Sequence, residues 1–153
     1  AGDTCKDGTI YLGCNPTTLK SVYASSQLAG SYPFNNGNSS NPVLVGASNY
    51  FDGKVNSDLM LATDSDSGTA GVQPHQSAEA CDAHTEFGHS DWYLPSLGEV
   101  LLMQQVGIDQ TYQATSTEYH NQPSNMMYVL HTSDYPYNRW KWDSHVVICV
   151  RSE

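Results

Sequence analysis

His89-Ser-Asp-Trp-Tyr-Leu-Pro-Ser-Leu-Gly-Glu99 stacks three local signals in one short stretch. Trp92, Tyr93 and Leu94 read as an extended run. Pro95 holds Leu94 out of the helical region and cannot donate to a sheet ladder. Ser96 stands three residues before Glu99, and Leu97, Val100, Leu101 and Met103 follow at helical spacing. That is a capping box opening an amphipathic helix. The stretch predicts an extended segment, a stop, and a helix over 97–105 closed by Gly107.

Upstream, Pro74 suits the first turn of another helix, with Ala78 and Cys81 on one face and Gly88 as its stop. Residues 1–25 look extended around the Asp7-Gly8 turn signal. Residues 30–58 are dense in turn residues, including Asn35-Asn36-Gly37 and Asp52-Gly53, with Val43-Leu44-Val45 as an apolar run. Residues 58–62 bring a second short apolar stretch. Downstream the chain reads as strands: 111–116, 126–131, the alternating 139–143, and Val146-Val-Ile-Cys-Val150. The last is apolar on both faces and so belongs inside a sheet. Two helices among strands and long loops read as a single α+β domain over 1–153, with two helices against a small, twisted, mostly antiparallel sheet.

The chain has 153 residues and a net charge of -10, with only six Lys and Arg. So few cations release few counterions, which argues against a nucleic-acid partner. No apolar run approaches the roughly 18 residues of a membrane span, so membrane insertion is not expected. The four cysteines, Cys5, Cys14, Cys81 and Cys149, fit no zinc spacing and allow three pairings. Cys5–Cys14 would be a local staple and Cys81–Cys149 would close a long loop. This pair of bridges is the expectation, against the alternative of four buried thiols. A surface rich in Asn, Ser and Thr and poor in Lys favours an oxidising, extracellular setting.

Several residues are candidates for binding. Arg139-Trp-Lys-Trp142 alternates, so as a strand it would place Arg139 and Lys141 on one face and Trp140 and Trp142 on the other. The functional reading is a basic strip beside aromatic platforms. The plainer reading has the indoles filling the core while the cations are solvated. Tyr119, Asn121 and Asn125 in one loop, and Tyr135 and Tyr137 in another, offer flat area and adaptable hydrogen bonds at low entropic cost. They too could be ordinary turns. The six histidines meet no metal spacing, and the loop bearing Asp64 and Asp66 lacks the final carboxylate of an EF-hand. No metal, cofactor or catalytic residue is expected.

Gly88-His-Ser-Asp-Trp-Tyr-Leu-Pro-Ser-Leu-Gly-Glu99 resembles the "G-x-S-D-W-x-L-P-S/T-x-x-E-L" signature of the domain family at the C-terminus of the collagen-like adhesin Lcl. Gln73–Cys81, Ala114-Thr-Ser-Thr-Glu-Tyr119 and Val147-Ile-Cys-Val-Arg151 resemble further segments of that family, in order. The match covers about 70–151. It implies a C-type-lectin-like fold whose first helix is bridged to its last strand, which supports Cys81–Cys149. It also implies ligand binding, often adhesion, and trimers in the collagen-linked member. The calcium signatures Glu-Pro-Asn, Gln-Pro-Asp and Trp-Asn-Asp of that fold are absent.

The resulting expectation is a secreted or cell-surface, disulfide-stapled, non-enzymatic binding module. Its ligand would be extracellular, a glycan or a host receptor, and it could form a homo-oligomer, trimer or fibre. The alternative is a structural subunit of an extracellular fibre or pilus.

Overall fold

The structure is a computed structural model that describes residues 1–108, 111–131 and 135–153. It is α+β. The order is β1 (Ile10–Cys14), β2 (Ser21–Pro33), α1 (Gly53–Ala62), α2 (Gln76–Asp82), α3 (Leu97–Gln105), β3 (Gln113–Glu118), β4 (Met126–Leu130), β5 (Pro136–Trp140) and β6 (Ser144–Ser152). One mixed six-stranded sheet runs β1-β2-β6-β3-β4-β5. Every neighbouring pair is antiparallel except β3 with β6, which meet in parallel at one register position, Gln113 against Val146. As its apolar pattern predicts, β6 is interior to the sheet.

That single position divides the sheet into halves β1-β2-β6 and β3-β4-β5. In a flat sheet β5 and β6 would lie three strand spacings apart, about 14 Å. Yet Asp143 N–H donates to the Trp140 carbonyl at 3.1 Å, closing a tight turn whose ends lie within about 7 Å. The halves therefore fold toward each other at this end. The alternating strand read over 139–143 is displaced as a result: β5 ends at Trp140, and Lys141 to Asp143 form the turn.

The 89–99 stretch ties this frame together, with bonds to several elements. Tyr93 exchanges both ladder bonds with Val150, at 2.8 and 3.0 Å. The Leu94 carbonyl accepts from the Ser57 hydroxyl and the Pro95 carbonyl from Ser116 N–H. Trp92 is buried beside Phe34, Cys81 and Cys149 in the main core cluster. The capping box forms as read: Ser96 N–H and Oγ–H donate to Glu99 Oε2 at 2.8 and 3.0 Å, and Glu99 N–H donates to Ser96 Oγ at 3.4 Å. α3 begins and ends at the predicted residues.

The structure has a third helix where two were expected. α1 starts at Asp52, whose side chain accepts from Val55 N–H. The Asp52-Gly53 pair reads equally as a turn, and α1 inverts the usual pattern. It buries Asn56, Ser57 and Met60 while Val55, Leu59 and Leu61 face outward. Asn56 earns its place by bonds to Asn49, Ser116 and Thr117. Gly53 is required by close approach, since a Cβ there would stand 2.4 Å from Glu99 Oε2 and 2.5 Å from Ser96 N.

Cys81 on α2 is bridged to Cys149 on β6, across 68 residues of chain. Such a loop is worth about 4 kcal/mol in the chain-entropy model. Cys5 and Cys14 are unbridged, against expectation. Cys5 N–H bonds the Thr9 carbonyl, which places Cys5 opposite Thr9. Cys14 lies five residues further along an extended chain, about 16 Å, whereas a disulfide needs Cα atoms within about 7 Å. Thiol titration of the unreduced, denatured chain should therefore find two reactive groups, rising to four after reduction. None before reduction would show that the N-terminal hairpin is bridged after all.

Candidate functional site

The β4–β5 ladder pairs Met126 with Trp140, Met127 with Arg139, Tyr128 with Asn138 and Val129 with Tyr137. Paired residues share a face and the faces alternate. Tyr128, Asn138 and Trp140 thus lie on one side, and Tyr137 and Arg139 on the other.

On the first side Trp140 stacks on Trp142, with ring centroids 4.9 Å apart and planes within 7° of parallel. Trp142 is half-buried and Trp140 is 39% exposed at the open edge of the sheet. Beside them Tyr119 meets Tyr128 edge-on at 5.2 Å. The Tyr50 hydroxyl donates to Tyr128 Oη at 2.7 Å, and His120 Nδ1 bonds the same oxygen. Burial, then the Tyr50 hydrogen bond, push the Tyr128 phenol up from its ordinary value. Asn121 Nδ2 donates to Tyr119 Oη at 3.1 Å. The result is a polar, aromatic surface whose rings brace one another.

On the second side the Arg139 guanidinium lies 4.6 Å over the Tyr112 ring and 5.9 Å from that of Tyr137. Tyr137 also meets His131 edge-on at 5.7 Å.

Lys141 departs from both expectations for it. Its side chain is wholly buried rather than solvated or facing a ligand. The fold of the sheet at the β5–β6 turn encloses it, and Lys141 N–H donates to the Asn125 carbonyl at 2.9 Å. Its ammonium donates to Glu118 Oε1 and, at 2.7 Å, to the Val43 carbonyl. Glu118 in turn accepts from Val45 and Gly46 N–H at 2.8 and 2.9 Å. Burial lowers the Lys141 pKa, and the Glu118 carboxylate opposes that shift. The plainer sequence reading is inverted here: the cation fills the core and the indoles stay at the surface. Trp140 and Trp142 share a side as expected, although Trp142 lies in the turn beyond the end of β5.

The expected binding residues thus separate. Tyr119, Asn121, Asn125, Trp140 and Trp142 gather at the end of the sheet with the β3–β4 and β5–β6 turns. Tyr135, which is 70% exposed, lies at the other end of β5. Ser133 and Asp134, part of the same predicted loop, lie outside the described residues. Sequence reasoning missed Tyr50, His120 and Tyr128. The alternation of β4 could have placed Tyr128 once its register with β5 was known. Nothing local could bring Tyr50 to it from 78 residues away.

The other polar clusters are bonded largely from within. Asp66 accepts from Asn36, Asn38, Gly68 and Thr69, the Thr69 hydroxyl first among the causes that hold its carboxyl near 2. Asp64 accepts from the Asp66 and Gln73 amides. Asp66 uses both oxygens in this way, and Asp64 uses Oδ1. Cys5 lines an open pocket of about 550 Å3 with Asp7, Tyr23, His89 and Arg151. There Asp7 is bonded to His89 at 2.9 Å, which brings its pKa to about 2, and Arg151 is committed to Asp91 and Glu153. No family model matches this chain, and no curated protein matches it with significance.

The burial of Lys141 has a measurable consequence. Lys141→Met leaves Glu118 buried without its cation and should lower the unfolding free energy by about 3–5 kcal/mol, read by urea titration. Trp140→Ala, at the surface, should cost about 1 kcal/mol or less. Equal effects would contradict this assignment.

Two histidines set the acid response. Burial holds His75 and His145 near 4, below the ordinary 6.5. Above 6.5 neither state carries the proton. As pH falls from 6.5 toward 4 the unfolded chain takes it up and the folded chain does not, so stability is lost with falling pH. For His75 the loss should reach about 3 kcal/mol. Denaturation midpoints across that range should fall with pH, and less steeply in His75→Gln. A flat profile would contradict neutral, buried rings.

Proposed function

We propose that this chain is a secreted, non-enzymatic binding module with a C-type-lectin-like fold, related to the C-terminal domain family of the Lcl adhesin. Its ligand is an extracellular glycan, free or on a host surface receptor, held on the Trp140–Trp142 platform. Support for the fold comes from the α+β architecture, from β2 lying antiparallel to β6, and from the disulfide that joins a helix to the last strand. The bridged helix is the second in chain order, α2, not the first.

One observation carries the function: a parallel indole pair left at an open sheet edge in a chain that can bury its other tryptophan. Two stacked rings are pre-organised, so little rotamer entropy is lost on binding. The exposed ring offers an apolar plane for the C–H face of a pyranose. Asn121, Asn138 and the Tyr119 hydroxyl stand on the same side or turn, with donors and acceptors for sugar hydroxyls. Such sites need a few well-placed polar groups around an apolar floor.

Glycan-array binding by the whole chain tests this reading. Wild type should bind a glycan class with and without chelator, because the described residues bring together no group of three or more His, Cys, Asp or Glu fit to hold a metal ion. Trp140→Ala should weaken binding by about tenfold or more and keep its thermal transition. Absence of glycan binding by wild type, together with filament formation, would favour the structural-subunit reading instead.

A further inference from the structure

A second cavity, on the half of the sheet away from the indole pair, has a chemistry of its own. It encloses about 330 Å3, the room of about ten liquid waters, and is lined by Thr18, Lys20, Asp52, Lys54, Tyr93 and Glu99 among others. That is the size of a single small metabolite. Its walls come from the β1–β2 turn, the first turn of α1 and the Tyr93–Glu99 segment.

Four ionic groups line it, two of each sign, and none pairs with another. Among the described residues, Lys20, Asp52 and Glu99 take part in no ion pair, and Lys54 pairs only with Asp58 along its own helix. In a chain with six cations and a net charge of -10, two of those cations frame one cavity. Lys54 also stands in the first turn of α1, where the helix dipole disfavours a cation.

The acidic pole keeps acceptor capacity of its own, although Glu99 is itself buried. Among the described residues, Glu99 Oε2 accepts three donors, whereas Oε1 accepts one, the Tyr93 hydroxyl at 2.9 Å. Asp52 uses Oδ1 to cap α1, and among the described residues no donor reaches its Oδ2. The frame is rigid on both sides. Asn15 ties the β1–β2 turn to the Phe51 carbonyl, and accepts from Thr17 and Thr18 N–H within that turn.

We propose that this cavity binds a free α-amino acid as its zwitterion, with the ammonium toward Asp52 and Glu99 and the carboxylate between Lys20 and Lys54. Opposite charges that share a small cavity without touching leave a gap that a zwitterion bridges. A plain anion would meet the Glu99 carboxylate, and a plain cation the two lysines.

Titration calorimetry of the whole chain against the standard free L-amino acids tests this, with two blocked series as controls. Saturable binding of at least one amino acid is expected. Its Nα-acetyl and α-amide derivatives, each lacking one charge, should bind at least about tenfold more weakly. Lys20→Glu and Asp52→Asn should each weaken binding to a similar degree. Lys20 has no partner to lose, and asparagine still caps a helix, so both variants should keep the wild-type melting transition. Trp140→Ala should leave this binding unchanged, which separates it from the glycan platform. No saturable binding of any amino acid, equal binding of the blocked derivatives, or full binding by both variants would overturn the proposal.

Discussion

The Glu99 carboxylate is the joint on which the architecture depends. It is 2% exposed, and burial raises its pKa. A charge in that position is tolerated only when donors replace the lost water. The donors come from three places: Ser96 at the start of α3, Gly53 at the start of α1, and the Tyr93 hydroxyl beside β6. Two helix N-termini therefore converge on one carboxylate, where their exposed N–H groups and dipoles both favour a negative charge. The approach is close enough that α1 must begin with glycine. Remove Glu99 and the orientation of α1 to α3, and of both to the sheet, loses its common anchor.

The same logic recurs at the other end of the molecule. Glu118 and Lys141 are buried together, and Glu118 reaches past its cation to the amides of Val45 and Gly46. That pair holds the long loop after β2 against the folded end of the sheet. A core of this kind suits a chain with 39% hydrophobic residues. Where apolar side chains are scarce, buried amides, hydroxyls and charges fill the interior, provided each finds partners. Asn56, Asn35, Ser57 and Thr115 are buried and bonded in this way. The two disulfide cysteines and Trp92 join Phe34, Met60, Leu94 and other apolar side chains in the main core cluster.

The two surfaces with binding character follow from these two joints. The indole pair stands on the turn that Lys141 anchors from below, so its geometry is inherited from the buried ion pair. The charged cavity has Glu99 in its wall, so the group that positions the helices also lines that cavity. Each surface is held by a side chain whose burial makes it stiff. That stiffness limits the entropy lost when a ligand docks.

Much of the frame was legible in the chain because its causes are local. The capping box at Ser96 and Glu99, the extent of α3, the interior position of 146–150 and the alternation that puts Trp140 with Trp142 each depend on a few neighbouring residues. The link from Cys81 to Cys149 is an expectation among three possible pairings, supported by the family resemblance, and the structure contains it. What the chain alone could not decide is which face meets the core. Lys141 is inside because Glu118, remote in sequence, pairs with it there, while Trp140 stands exposed on the edge strand. α1 escaped notice for the same reason: its buried face is polar, and it is paired by residues that only the tertiary structure brings near. Local periodicity determines where elements begin and which side chains share a side. Long-range partners decide whether a charged side is expelled or enclosed, because the cost of burying a charge is set by what it finds there.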